Sequence, residues 1–136
     1  MTDIEAVSQV TKRHAILVAV DNTFLTPILQ KPLELGADVS ILSTTKYIDG
    51  HNATLGGSIA TRDEKLLERI RLIRKTVGTT QAPFEAWLTL QGMKTLLARL
   101  TLHFEGAAIM ARWLESHADL EQAFATAASG SLVKEN

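Results

Sequence analysis

The run Ala15-Ile16-Leu17-Val18-Ala19-Val20 is uninterruptedly apolar and gives way at once to the polar Asp21-Asn22-Thr23. A strand with one wet face alternates apolar and polar side chains, whereas a continuous apolar run belongs to a parallel strand that helices cover on both faces. The run is far too short to cross a bilayer, which takes about 20 apolar residues. It therefore predicts an α/β fold with Asp21 at the C-terminal end of a buried strand.

The flanking sequence supplies the other elements of such a fold. Thr2-Asp3-Ile4-Glu5 has the capping-box pattern, in which a threonine hydroxyl and a glutamate carboxylate satisfy free N–H groups, and it predicts a helix running to about His14. After Pro27 a short helix over roughly 28–35 should stop at Gly36, and Asp38 to Leu42 should form a second strand. Gly56-Gly57-Ser58-Ile59-Ala60 reads as a short strand whose missing side chains admit another backbone or a ligand. A second capping box, Thr61-Arg62-Asp63-Glu64, opens a helix with Leu66, Leu67, Ile70, Ile73 and Val77 at helical spacing and Gly78 at its end. From Pro83 the chain is helical again. A break is expected at Gln91-Gly92, followed by a long amphipathic segment carrying Leu96, Leu97, Leu100, Phe104, Ala107, Ala111 and Leu114. The stretch 118–136 has no sustained period and is expected to fray.

Composition narrows the function. At 136 residues the chain is sized for one domain at most. Its formal net charge of −1, with basic residues scattered, argues against nucleic acid or an anionic membrane as a partner. Without cysteine there is no disulfide framework or thiolate zinc site, and His14, His51, His103 and His117 lack metal-ligand spacing, so no metal is expected. The N-terminus Met1-Thr2-Asp3-Ile4-Glu5-Ala6-Val7 shows no basic-then-apolar signal pattern, which predicts a cytoplasmic protein.

Two charged residues then stand out. In a βαβ unit, neighbouring parallel strands end on the same edge of the sheet, where open α/β sheets bind ligands. Asp21 and Lys46, in Ser43-Thr44-Thr45-Lys46-Tyr47, both follow strands toward that edge. Taken singly, Lys46 is a solvated loop lysine and Asp21 a turn former or helix cap. Together they match what pyridoxal phosphate requires: an amine to condense with the aldehyde, and a carboxylate to keep the ring nitrogen protonated. Ser43 and Thr45 could donate hydroxyl hydrogen bonds to its phosphate.

The stretch from Val18 to Ala60, containing Val20-Asp21-Asn22-Thr23 and Ser43-Thr44-Thr45-Lys46-Tyr47, closely resembles the cofactor-lysine region of the Cys/Met-metabolism pyridoxal-phosphate enzymes. These include cystathionine γ-synthase, the cystathionine β- and γ-lyases, methionine γ-lyase and the homoserine-ester sulfhydrylases. The similarity continues through Arg71 to Leu100 and to about His117. It implies part of a three-layer, aspartate-aminotransferase-like large domain, with 1–117 a partial cofactor-binding domain, 118–136 divergent, and the whole truncated at both ends. It implies that Lys46 is the Schiff-base lysine and catalytic base, that Asp21 pairs with the pyridine nitrogen, and that Ser43 and Thr45 contact the phosphate. Implied too are trans-sulfuration chemistry on a small amino-acid substrate, either β/γ-elimination or γ-replacement, and a homo-oligomer, a tetramer in intact members.

The chain departs from the family pattern in three ways. Gln91-Gly92-Met93-Lys94-Thr95-Leu96 replaces the family's usual R-G-L-K-T-L. The upstream phosphate loop and the cofactor-stacking tyrosine have no counterpart, and neither has the C-terminal domain with its carboxylate-binding arginine. These absences favour a rival expectation, a truncated, non-catalytic remnant of such an enzyme. A response-regulator-like receiver fits poorly, because its hydroxyl and lysine come from different strands while Thr45 and Lys46 are adjacent.

Overall fold

The computed structural model describes residues 2–117. The expected fraying over 118–136 lies outside those residues. Contacts group the chain into two units, Met1–Leu97 and Ala98–Asn136. The first unit carries every strand found among the described residues.

Helix α1 spans Ile4–Lys12. Asp3, not Thr2, caps it: its Oδ1 accepts the Ala6 N–H at 2.9 Å. The expected capping box does not form because Glu5 then falls inside the first turn, where its charge favours the helix dipole instead. The helix also ends before His14. Ala15 takes a left-handed φ of 53°, and the Ala15 and Ile16 N–H groups donate back to the Lys12 and Thr11 carbonyls.

This closing turn consumes the start of the apolar run, so the first strand is shorter than the sequence predicts. Strand β1 is Ala19–Asp21, and Ile16 and Leu17 lie exposed ahead of it. Asp21 is the strand's own last residue. Val18 begins the pairing: its N–H donates to Asp38 Oδ2 at 2.8 Å, and its carbonyl accepts from the Asp38 and Val39 N–H groups.

Helix α2 is a single turn, Thr26–Leu29, not a helix over 28–35, and Gly36, at φ 92°, closes a separate turn after it. Strand β2, Val39–Ser43, pairs parallel with β1, matching Asp21 to Ile41. A π-type turn, Thr44–Ile48, follows directly, kinked where Lys46 leaves helical dihedrals. Strand β3, Gly57–Thr61, pairs antiparallel with β2, so the sheet order is β1-β2-β3. Ser40, Leu42 and Ala60 point to one face, where Pro27, Pro32 and Leu33 line a cavity against them. Ile41 and Ile59, directly paired on the other face, remain 37% and 49% exposed.

Helix α3, Glu64–Val77, is capped by Asp63, which accepts the Leu66 N–H at 3.0 Å; Thr61 instead receives the N–H of Asp63. Of the predicted stripe, Leu66, Leu67 and Ile70 are half-buried, whereas Ile73 and Val77 are exposed. Gly78 ends the helix in the left-handed conformation, as the sequence predicts.

Helix α4, Pro83–Met93, runs straight through Gln91-Gly92. The break comes later, at Lys94-Thr95, before α5, Leu96–Glu115. Gly92 reflects crowding instead. A Cβ there would run into the Asp49 carbonyl oxygen, so only glycine lets α4 press against the end of the π-type turn. Within α5, Leu96 and Leu100 are buried and Phe104 and Leu114 half-buried, while Leu97, Ala107 and Ala111 are exposed.

Candidate cofactor site

The site begins with the turn after β1. The Asn22 N–H continues the ladder to the Ile41 carbonyl at 2.8 Å, while its buried side chain exchanges two hydrogen bonds with Gln30, at 2.8 and 2.9 Å. Thr26, fully buried and at φ 56°, accepts the Ile28 N–H on its hydroxyl. A β-branched residue in that region is strained, and the bonds around it hold it there. The chain just past Asp21 is thus fixed by paired polar groups.

Asp21 forms an Asx-type turn with Thr23. One carboxylate oxygen, Oδ1, accepts both the Thr23 N–H at 3.0 Å and the Thr23 hydroxyl at 2.6 Å. These two bonds, the hydroxyl's first, hold the exposed carboxyl below its ordinary pKa. The other oxygen, Oδ2, receives no donor among the described residues. The turn-former reading and the cofactor reading of Asp21 are therefore compatible, since the turn uses only one oxygen.

Thr23 also reaches the second strand. Its hydroxyl accepts the Ser43 N–H at 2.8 Å, so a continuous chain runs from the end of β2 to Asp21. The Phe24 and Tyr47 rings meet edge to face at 6.3 Å between centroids, joining the same two turns a second time. Sequence reasoning missed Thr23. The available signal was the Asp-x-Thr spacing, which is that of an Asx turn.

From Ser43 on the backbone is pinned, and three side chains are left unpaired among the described residues: Ser43, Lys46 and Thr44, whose hydroxyl is buried. The Thr44 N–H donates to the Gly56 carbonyl at 2.9 Å, and the Asp49 N–H returns to the Thr44 carbonyl. Buried Asp49 accepts the N–H groups of His51 and Ala53 on its carboxylate. Around the next loop, Thr54 and Thr89 share a buried hydroxyl pair at 3.1 Å, and Gln81 donates to Thr89 and to the Leu55 carbonyl. Gly56 passes so close that a Cβ would lie 2.6 Å from the Thr44 hydroxyl. On this frame the Lys46 amine is exposed, and neither it nor the Ser43 hydroxyl has a protein partner among the described residues.

Thr45 differs. Its hydroxyl accepts the Gly56 N–H at 3.0 Å and donates to the Gly56 carbonyl at a longer 3.3 Å. Because that carbonyl also takes the Thr44 N–H, the Thr45 proton can turn to another acceptor without leaving the carbonyl unpaired. A cleft of about 400 Å³ opens beside Asp21 against Ile4 and Val7 of α1, but it reaches neither Ser43 nor Lys46. Asp21 ends β1, and Ser43, Thr45 and Lys46 lie at and just past the end of its parallel neighbour β2, on the same edge of the sheet. Among the described residues no cluster of His, Asp and Glu could hold a metal, and no helix is long and apolar enough to cross a membrane.

A carboxylate oxygen without a donor, an unpaired hydroxyl and an unpaired amine on a rigid strand edge fit the ring nitrogen, phosphate and aldehyde of pyridoxal phosphate. The chain is 42% identical over 130 residues to a Bacillus subtilis cystathionine gamma-synthase/O-acetylhomoserine (thiol)-lyase, covering 96% of the chain and 35% of that protein. It is 44% identical to a Pseudomonas aeruginosa O-succinylhomoserine sulfhydrylase, over 91% of the chain and 30% of that protein. The crystal structure of a Xanthomonas oryzae cystathionine gamma synthase, in complex with aminoacrylate and cysteine, superposes with a TM-score of 0.84 at 46% identity. That match covers 87% of this chain and 30% of the other. The chain thus spans about a third of the length of these relatives, and shares their mixed α/β fold. The family model matches residues 1–128, beyond the His117 at which the resemblance was expected to end, and the chain belongs to the Cys/Met metabolism PLP-dependent enzyme family.

Proposed function

We propose that the chain carries the cofactor-lysine edge of a pyridoxal-phosphate-dependent trans-sulfuration enzyme, performing β/γ-elimination or γ-replacement on sulfur amino acids such as cystathionine or on homoserine esters. The observation that carries this reading is the set of unspent bonding groups, Asp21 Oδ2, Ser43 Oγ and Lys46 Nζ, on an edge whose backbone is hydrogen-bonded. When bound, pyridoxal phosphate supplies an aldehyde to the lysine and a ring that takes up electrons from the substrate α-carbon.

The chain's own residues have separable tasks. Asp21 Oδ2 would accept the ring N–H and, because Thr23 holds the carboxyl below its ordinary pKa, would favour the protonated ring. Ser43 Oγ, and Thr45 Oγ1 once turned from Gly56, donate to phosphate oxygens. Lys46 Nζ would hold the cofactor aldehyde and, when free, would remove and return protons at the substrate carbons. Residues 1–117 form part of the cofactor-binding domain. The family resemblance further supports a free amino acid as substrate, a cytoplasmic location and a homo-oligomeric assembly.

The test is borohydride reduction of the purified chain with pyridoxal phosphate at equal concentration, followed by peptide mapping. The expected result is a pyridoxyl group on Lys46, lost in Lys46→Ala. Labelling spread evenly over the exposed lysines, or unchanged by Lys46→Ala, would overturn the reading.

A further inference from the structure

We propose that Thr23 is the positioning residue of this site, fixing which oxygen of Asp21 is offered to the cofactor ring and tying that oxygen's orientation to the Ser43 end of β2. The inference rests on the functional reading above for the word cofactor, but its geometry stands within the chain. A threonine hydroxyl has one proton. The Ser43 N–H can only donate and an ionised carboxylate can only accept, so the hydroxyl at 2.8 Å from the first and 2.6 Å from the second has a single orientation: it accepts from Ser43 and donates to Asp21. The Thr23 N–H adds a second donor to the same Oδ1. With both donors on Oδ1, the carboxylate cannot turn without breaking both bonds, and Oδ2 is left as the oxygen without a donor.

The linkage also joins two parts of the site that are far apart in sequence. Asp21 lies at the ring-nitrogen end and Ser43 begins the phosphate-binding segment, and the Thr23 side chain, itself buried, spans the parallel pair between them. A displacement of Ser43 is therefore passed to Asp21 through one hydroxyl. Neither valine, isosteric but without the hydroxyl, nor alanine can transmit it. Serine can.

The experiment is an NMR titration of the full chain, following the Asp21 side-chain carboxyl carbon and the backbone amides of residues 23 and 43. In the unmodified chain the Ser43 amide proton should shift with the same midpoint as the Asp21 carboxyl. In Thr23→Val the Ser43 response should be lost and the Asp21 midpoint should move up, while the amide of residue 23, which still donates to Oδ1, continues to follow it. Thr23→Ser should restore the Ser43 response. The pyridoxal phosphate concentration for half-maximal capture at Lys46 should rise about tenfold in Thr23→Val and return in Thr23→Ser, as expected for one charge-assisted hydrogen bond. A Ser43 amide that ignores the Asp21 titration in the unmodified chain overturns the proposal, and needs no variant to fold. So does an unchanged Asp21 midpoint in Thr23→Val. Failure of Lys46 capture in the unmodified chain, with the Ser43 coupling intact, would instead remove the cofactor reading and leave the coupling established.

Discussion

The turns that follow β1 and β2 start from the same edge of one sheet and spend their polar groups differently. After β1, the side chains of Asn22, Thr23, Thr26 and Gln30 all bond within the chain, and Asp21 keeps one oxygen in reserve. After β2, it is the backbone that is secured, through Gly56, Thr44 and Asp49, while the Ser43 and Lys46 side chains remain unpaired. The difference teaches where ligand-directed chemistry can sit. A group already satisfied by the protein must break a bond to meet a ligand; an unpaired group on a fixed backbone need only exchange water.

If that division is real, supports and ligand-facing groups should respond oppositely to mutation. The largest effect is expected at Gly92. Gly92→Ala places a methyl group inside the Asp49 carbonyl and must lift α4 from the Lys46-bearing turn, lowering stability by about 3 kcal/mol in urea unfolding. A loss below about 0.5 kcal/mol would show that α4 does not brace the turn.

A smaller effect is expected at Asp21, which belongs to both classes. Its carboxyl is held below the ordinary value by the Thr23 hydroxyl and N–H, so its ionised form favours the folded chain. That contribution is complete above the titration range of an unfolded aspartate and is lost as pH falls through the lower folded value. Asp21→Asn should therefore unfold slightly more readily than the unmodified chain near neutrality, and the two midpoints should converge on acidification. A gap that widens toward acid would reverse the assignment. The smallest effect is expected at Lys46→Ala and Ser43→Ala, each within about 0.5 kcal/mol of the unmodified chain by the same unfolding measurement. A clear loss at Lys46 would mean its side chain supports the fold, and would dissolve the contrast.

The sequence by itself determined the α/β class, the second strand within a residue of its place, the glycine stop at Gly78, and the location of Asp21 and Lys46 at strand ends. These follow from local patterns: a continuous apolar run, β-branched residues, a glycine that takes positive φ at low cost. What the sequence misjudged depended on partners. The apolar run outlasts its strand because β2 begins only at Val39, leaving Ile16 and Leu17 without a neighbour to pair with. Gly92 reads locally as a helix breaker, yet it is kept inside α4 by a carbonyl 43 positions earlier, at Asp49. Either acid or threonine can cap, and the helices begin where Asp3 and Asp63 are the capping residues. Thr23 could be seen as a turn residue, but its bond to the Ser43 N–H exists only because parallel pairing sets β1 and β2 side by side. Composition and spacing fix which groups can bond; only the tertiary structure decides which of them are used up and which are left for a ligand.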